Sequence, residues 1–284
     1  MNATVAAPGR MRIVRVISLR EAKAAIRGAG GYFALSAALI AATWILLVDV
    51  RALEAVGVLV LSDPFGPAFS IALFALALYL AIWAAVSVAR DRESGALEVL
   101  FYGPVDEISY VLGKVGGLLI AFAAAMPLIL ASFTLLSLMT GFALTSKIPV
   151  GLALSIVPVA EIVGFGVLLA VGTSRVRTAV LLLIAVIGGL VGITVAYSLV
   201  LLVPISDVAS PVLPLRDALA ALDSVVRWLS PFAYLERVVN DVTRGAWRNA
   251  TISLLGAFVY AAAVIALAAL WLRRRGVQRS AEGT

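Results

Sequence analysis

Apolar residues in this chain come in long unbroken runs separated by short charged stretches. Six runs stand out, over residues 31–50, 66–89, 111–137, 150–172, 179–203 and 250–272. Each has at least the ~20 mostly apolar residues that a helix needs to cross a bilayer, where the backbone must satisfy its own hydrogen bonds. The third and fifth exceed one crossing, which predicts tilt, a kink or some length outside the lipid. Pro127 and Pro158 are the candidate kinks. Ahead of the first run, residues 12–28 predict a helix with Arg12, Arg15, Arg20, Lys23 and Arg27 on one side, interrupted by Val16, Leu19 and Ile26. That pattern suits an interfacial helix on anionic headgroups or a solvated basic arm.

Two connecting segments carry patterns of their own. Between the second and third runs, Arg90-Asp91-Arg92-Glu93 leads into Ser94, a residue suited to capping a helix. Leu97, Leu100 and Phe101 then share one face of a short helix that Gly103-Pro104 stops. Asp106 suits the start of a further helix running into the third span. Such a segment fits docking onto a soluble partner, or a tight connector resting on headgroups. Before the last run, residues 204–249 hold Pro204, Pro211 and Pro214, then the stripe Leu215, Leu219, Leu222, Val226 and Leu229. Its spacing keeps one face apolar, with Asp223 and Arg227 paired on the other side. Ser230-Pro231 opens a second helix with Leu235, Val238, Val239 and Val242 inward and Gly245 as its stop. The two helices form either a lid dipping into the outer leaflet or a solvated cap.

Composition removes the soluble alternatives. Of 284 residues, 63% are hydrophobic and 13% charged, with a mean hydropathy of +1.09. A soluble domain carries about 45–50% apolar and about 25% charged residues. The predicted fold is therefore an all-α polytopic membrane protein with a single transmembrane domain. Residues 1–30 form an arm and interfacial helix, 31–203 five spans, 204–249 an extracytoplasmic helical loop, 250–272 the sixth span and 273–284 a basic tail.

Charge then sets the orientation. The terminal side holds fifteen basic residues, among them Arg90, Arg92, Lys114, Arg175, Arg177 and Arg273–Arg275, against seven on the other side. Only Arg51 and Lys147 lie in the short opposite loops, which places both termini in the cytoplasm of a cell-membrane protein. The net charge of +6 is thus a topology signal, not a sign of nucleic acid. No small-residue cleavage pattern follows the first run, so no cleavable signal peptide is expected.

With no Cys and no His, disulfides, thiolate chemistry, Cys/His metal sites and imidazole catalysis are excluded. No catalytic residue and no metal site is expected, and no Gly-x-x-x-x-Gly-Lys-Ser/Thr phosphate loop occurs. Glu161 falls at the midpoint of the fourth run, where an ionised carboxylate costs several kcal/mol unless paired or hydrated. It reads as a pathway residue for protons or a cationic substrate, or as a neutral carboxyl bonded to a neighbouring helix. Gly113-x-x-x-Gly117 and Gly188-x-x-x-Gly192 permit close helix approach, within a subunit or between two.

The run Glu93-Ser94-Gly95-Ala96-Leu97-Glu98-Val99-Leu100, followed by Pro104-Val105 and Gly113-Lys114, resembles the signature loop of ABC-2-type transporter permeases. These are the membrane subunits of ATP-driven, mostly exporting transporters. The six runs, the basic helix ahead of them and Ser230-Pro231-Phe232-Ala233-Tyr234 extend the resemblance over nearly the whole chain. Ala96 stands where the family has Thr, and Asp106-Glu107 where Ser-Arg is common. The resemblance implies a coupling helix from Glu93 to Pro104 seated in a cleft of a separate cytoplasmic ABC ATPase. Arg92, Glu93, Gly95, Leu97, Glu98, Leu100, Phe101 and Pro104 would serve that coupling. It further implies two permease subunits, identical or related, with the first and fifth spans nearest the axis and Gly188, Gly189 and Gly192 as contacts. Two ATPase subunits would bind ATP and magnesium, leaving this chain without a cofactor of its own. Export is favoured because the far-side loops are short and the importer-type loop is absent, Glu21-Ala22 having the wrong sequel. The alternatives are a secondary transporter, which predicts inverted repeats that the two halves do not show, and a non-transporting assembly or signalling subunit on the same scaffold.

Overall fold

The computed structural model describes residues 9–56, 64–103, 105–203 and 212–275. Pro104, Pro204, Pro211 and Arg279 lie outside the described residues. Those described form eleven helices and no strand. In order they are α1 (Arg10–Arg27), α2 (Ala29–Val56), α3 (Gly66–Glu93), α4 (Ala96–Tyr102), α5 (Glu107–Thr140), α6 (Lys147–Leu154), α7 (Ile156–Val171), α8 (Val176–Leu201), α9 (Val212–Leu229), α10 (Pro231–Arg244) and α11 (Trp247–Arg275). Six segments are long and apolar enough to cross a membrane: α2, α3, α5, the α6–α7 pair, α8 and α11. The chain is an all-α polytopic membrane protein. Its two sides are called here the basic side, with Arg10–Arg27 and Arg273, and the far side, with Lys147 and Trp247.

Two helix boundaries differ from the sequence expectation. The second span runs on through Arg90–Glu93, so the charged cluster is its last turn and not a connector. Ser94 closes α3 instead of opening α4, its N–H bonding the carbonyls of Arg90 and Arg92. Gly95 makes the turn at φ 70°, a left-handed conformation open to glycine because it has no Cβ. The fourth span is broken between Leu154 and Ile156. Pro158 cannot donate to the Leu154 carbonyl and its ring crowds that oxygen, which is where α6 ends. Pro127, by contrast, sits inside an unbroken α5.

α5 has 34 residues, roughly 51 Å at ~1.5 Å per residue, against ~30 Å of hydrocarbon. Its surplus turns project on the basic side, and α1 runs beside them. α7 is the centre of the molecule, enclosed by α3, α5, α10 and α11. α2 and α8 are the least enclosed spans. α7 and α3 approach closely at Gly166, where a Cβ would lie 2.5 Å from the carbonyl oxygen of Ala81. Backbone cannot swing aside as a side chain can, so Gly166→Val must push α7 off α3. We expect a loss of about 1–3 kcal/mol, read as a lower melting midpoint in detergent; an unchanged midpoint would contradict this packing.

Candidate functional site

α4 is too short to hold itself together and is fixed by its neighbours. Leu97 is buried, while Leu100 and Phe101 are half-buried against the core. Phe101 meets Tyr110 of α5 edge-on at 6.0 Å. The apolar stripe read from the sequence therefore faces the chain's own spans. Glu98 points outward, and with it Val99, 72% exposed, and Tyr102, 76% exposed. Sequence reasoning missed the last two. They are apolar residues on the face that a solvated connector would fill with charge, and that was the available signal.

Arg92 and Glu93, next to each other at the end of α3, reach the turn between α7 and α8. Arg92 Nη1 donates to the carbonyls of Val171 at 2.6 Å and Thr173 at 3.2 Å. Glu93 Oε2 accepts from the Val176 N–H at 3.2 Å. A helix ends with unsatisfied carbonyls and partial negative charge, and begins with unsatisfied N–H groups and partial positive charge. The cation thus caps the end of one helix and the anion the start of the next.

On its other flank, α4 meets a buried ionic network. Lys114 Nζ lies 2.8 Å from Glu21 Oε2 on α1 and 2.8 Å from Asp91 Oδ2 on α3. The Tyr110 hydroxyl donates to Asp91 Oδ2 at 2.8 Å, and the Trp83 indole N–H donates to Glu21 Oε1 at 3.1 Å. The Ser18 hydroxyl donates to the Gly113 carbonyl at 3.1 Å. These contacts need α1 and α5 to touch. A Cβ at Gly117 would meet the Ser18 carbonyl oxygen at 2.7 Å, and one at Gly113 would meet Ile17 at 2.6 Å. The Gly113/Gly117 motif therefore seats α1 on α5 within one subunit. The two helices run in the same direction, since Arg10 pairs with Asp106 at 3.5 Å while Glu21 sits over Gly117. One face of α1 (Ile13, Ser18, Glu21, Ala22, Ala25) is covered by protein, and its basic residues stay exposed with Val16, Leu19 and Ile26 among them.

α9 and α10 form a hairpin that turns back at membrane depth. The Tyr260 hydroxyl donates to the Leu229 carbonyl at 2.8 Å. Tyr260 lies thirteen residues beyond Trp247, about 20 Å along α11 at ~1.5 Å per residue. At the far side, Lys147 Nζ donates to the Thr243 carbonyl at 3.0 Å. α10 buries Leu235, Val238, Val239 and Val242, as its periodicity predicts, together with Phe232. The apolar stripe of α9 is divided between the protein and the outside. Asp223 and Val226 face the protein, while Leu215, Leu222 and Leu229 are exposed beside Val225 and Trp228. Periodicity identifies an apolar face but not its surroundings. In lipid, that face turns outward and the polar groups turn in. The expected Asp223–Arg227 pair is present at 2.7 Å.

Glu161 is fully buried on α7, and neither carboxylate oxygen has a hydrogen-bond partner. A Cβ at Gly188, Gly189 or Gly192 would meet nothing within 4 Å, so these glycines of α8 line an open face. No group of described residues has the composition and geometry to hold a metal ion. Compared with known families, residues 10–276 match the model described as ABC-2 family transporter protein. Among curated proteins, none matches the chain.

Proposed function

Because the chain belongs to the ABC-2 family of transporter proteins, we propose that it is the permease subunit of an exporter driven by a separate ABC ATPase docked under α4. The chain itself is a transport component and not a catalyst. The observation that carries the reading is the placement of α4. Its outer face of Glu98, Val99 and Tyr102 is free to take a partner. The last turn of α3, which leads into α4, is keyed to the α7–α8 turn through Arg92 and Glu93, and to α1 and α5 through Asp91 with Tyr110 and Lys114. A push on this short helix passes into the end of α3 and, through Phe101 against Tyr110, into α5. Of the residues assigned to coupling, Glu98 has the exposure to touch the ATPase, Leu97, Leu100 and Phe101 hold α4 in place, and Gly95 sets its angle.

In this reading the basic side is cytoplasmic, the ATPase binds ATP and magnesium there, and two permease subunits enclose the pathway. The open glycine face of α8 supports a subunit contact, and Glu161 is the candidate pathway residue. The chain has no cysteine, so Gly192→Cys gives a unique thiol. Oxidation is expected to produce a disulfide-linked dimer on non-reducing gels; monomers alone would argue against a contact at α8. The coupled reading itself is tested by nucleotide binding. The purified chain should neither bind a fluorescent ATP analogue nor hydrolyse ATP, and either activity in the chain alone would overturn it.

A further inference from the structure

The exposed side of α1 takes no part in the proposed coupling. We propose that its last two turns bind the headgroups of anionic phospholipids in the basic-side leaflet. Arg20, Lys23 and Arg27 take the phosphates, and Leu19 and Ile26 lie against the acyl chains.

Folding sorts the charges of α1 between its two sides. Its one acidic residue, Glu21, is turned inward onto Lys114 at 2.8 Å, with Ser18, Ala22 and Ala25 buried beside it. Arg12, Arg15, Arg20, Lys23 and Arg27 remain outside, all exposed. Arg10 pairs with Asp106 at the start of the helix, but none of these five forms an ion pair among the described residues. The uncovered surface is therefore purely cationic, and its counter-charge comes from outside the chain. The covered side is fixed to α5 by the Lys114 pair and the Gly113 and Gly117 contacts. The cationic side is thus held ready before any ligand arrives.

Position and pattern make that ligand a lipid surface. α2 enters the membrane from Ala29, directly after the joint at Gly28. Arg20 lies nine residues before Ala29. At ~1.5 Å per residue, all three cations sit within about 14 Å of the start of the span, whatever the tilt of α1. Seven residues apart, Leu19 and Ile26 fall on one line of the helix, and Arg20, Lys23 and Arg27 fall on the adjoining one. Leu19 is 43% exposed and Ile26 37% exposed. Cations beside an uncovered apolar line suit a boundary where the apolar groups reach hydrocarbon and the charges stay among headgroups. Each Lys or Arg held at an anionic leaflet strengthens binding about fivefold. A neutral leaflet offers the apolar line the same contact and the cations no such gain.

The test uses the full chain without an ATPase, so its outcome is separate from that of the coupled reading. The chain, purified in neutral detergent, is offered equimolar dioleoyl phosphatidylglycerol and dioleoyl phosphatidylcholine. Native mass spectrometry counts the lipid retained. The two lipids share their acyl chains and differ in net headgroup charge, and phosphatidylglycerol is expected to be preferred. Arg20→Gln with Lys23→Gln and Arg27→Gln is expected to cut that preference about tenfold or more, whereas Arg20→Lys with Arg27→Lys keeps it. Arg175→Gln with Arg177→Gln neutralises exposed charge elsewhere on the basic side and is expected to leave the preference unchanged. Leu19→Ser with Ile26→Ser is expected to lower retention of phosphatidylglycerol. Equal retention of both lipids by the parent, the result for a solvated arm, would overturn the proposal. A preference that survives the triple Gln variant would overturn it too, as would one that the Arg175/Arg177 variant removes equally. Displacement of the lipid by inorganic phosphate, with no effect of Leu19→Ser and Ile26→Ser, would show a phosphate site and overturn the assignment to lipid.

Discussion

Lys114→Met is expected to loosen α1 from α5 and to lower the melting midpoint more than any other single change considered for this chain. The Lys114 side chain is 6% exposed and its partners Glu21 and Asp91 are 9% and 17% exposed. Deleting the cation leaves two carboxylates facing each other, supported only by the Trp83 indole and the Tyr110 hydroxyl. Removing one partner of a buried ionic pair costs about 3–5 kcal/mol, because the group left behind stays desolvated and unpaired. Here two groups are left. Glu21→Gln is expected to cost less, since one cation then faces one carboxylate. Hydrogen exchange localises the effect: amides of residues 10–27 should lose protection in Lys114→Met while those of α7 keep it. Unchanged protection in α1 would show that the glycine contacts alone hold that helix.

The second large effect concerns binding, not folding. Val99→Arg combined with Tyr102→Arg is expected to abolish retention of the ATPase while leaving the melting midpoint within about 0.5 kcal/mol of the parent, as exposed positions usually do. Buried aromatic anchors at an interface typically contribute about 2 kcal/mol or more each, and about 2 kcal/mol is roughly a thirtyfold loss of affinity. Leu97 is the contrasting position. It is buried against the core, so Leu97→Arg should damage α4 itself, and loss of the ATPase from that variant would not identify a docking surface. Retention of the ATPase by the Val99/Tyr102 variant would move the docking surface elsewhere.

How far the sequence could be read depends on where the deciding information lies. The six spans were legible because long apolar runs answer to the bilayer alone, whatever their neighbours. The end of α3 was not, because Arg90–Glu93 look like a solvated connector until Arg92 and Glu93 find helix ends about eighty residues away in sequence. Gly113-x-x-x-Gly117 signalled a close approach without naming the partner, and the partner is α1. Lys114 was visible as a charge opening an apolar run, but Glu21 and Asp91 are joined to it only by the fold. The stripe on α9 was legible as a face, but not its surroundings, because periodicity alone does not say whether an apolar face meets protein or lipid: Val226 meets protein while Leu215, Leu222 and Leu229 are exposed.

The central claim is that this permease is energised through α4 by a separate ATPase. The most direct measurement is to capture the tagged chain from its native membranes, with Tyr102→Cys carrying a short thiol-reactive photo-crosslinker, and to identify what is bound and what is crosslinked. An ABC ATPase at one copy per copy of the chain, joined covalently at position 102, is the expected result. Capture of the chain with no ATPase attached, or of an ATPase that never crosslinks at that position although it stays bound, would contradict it.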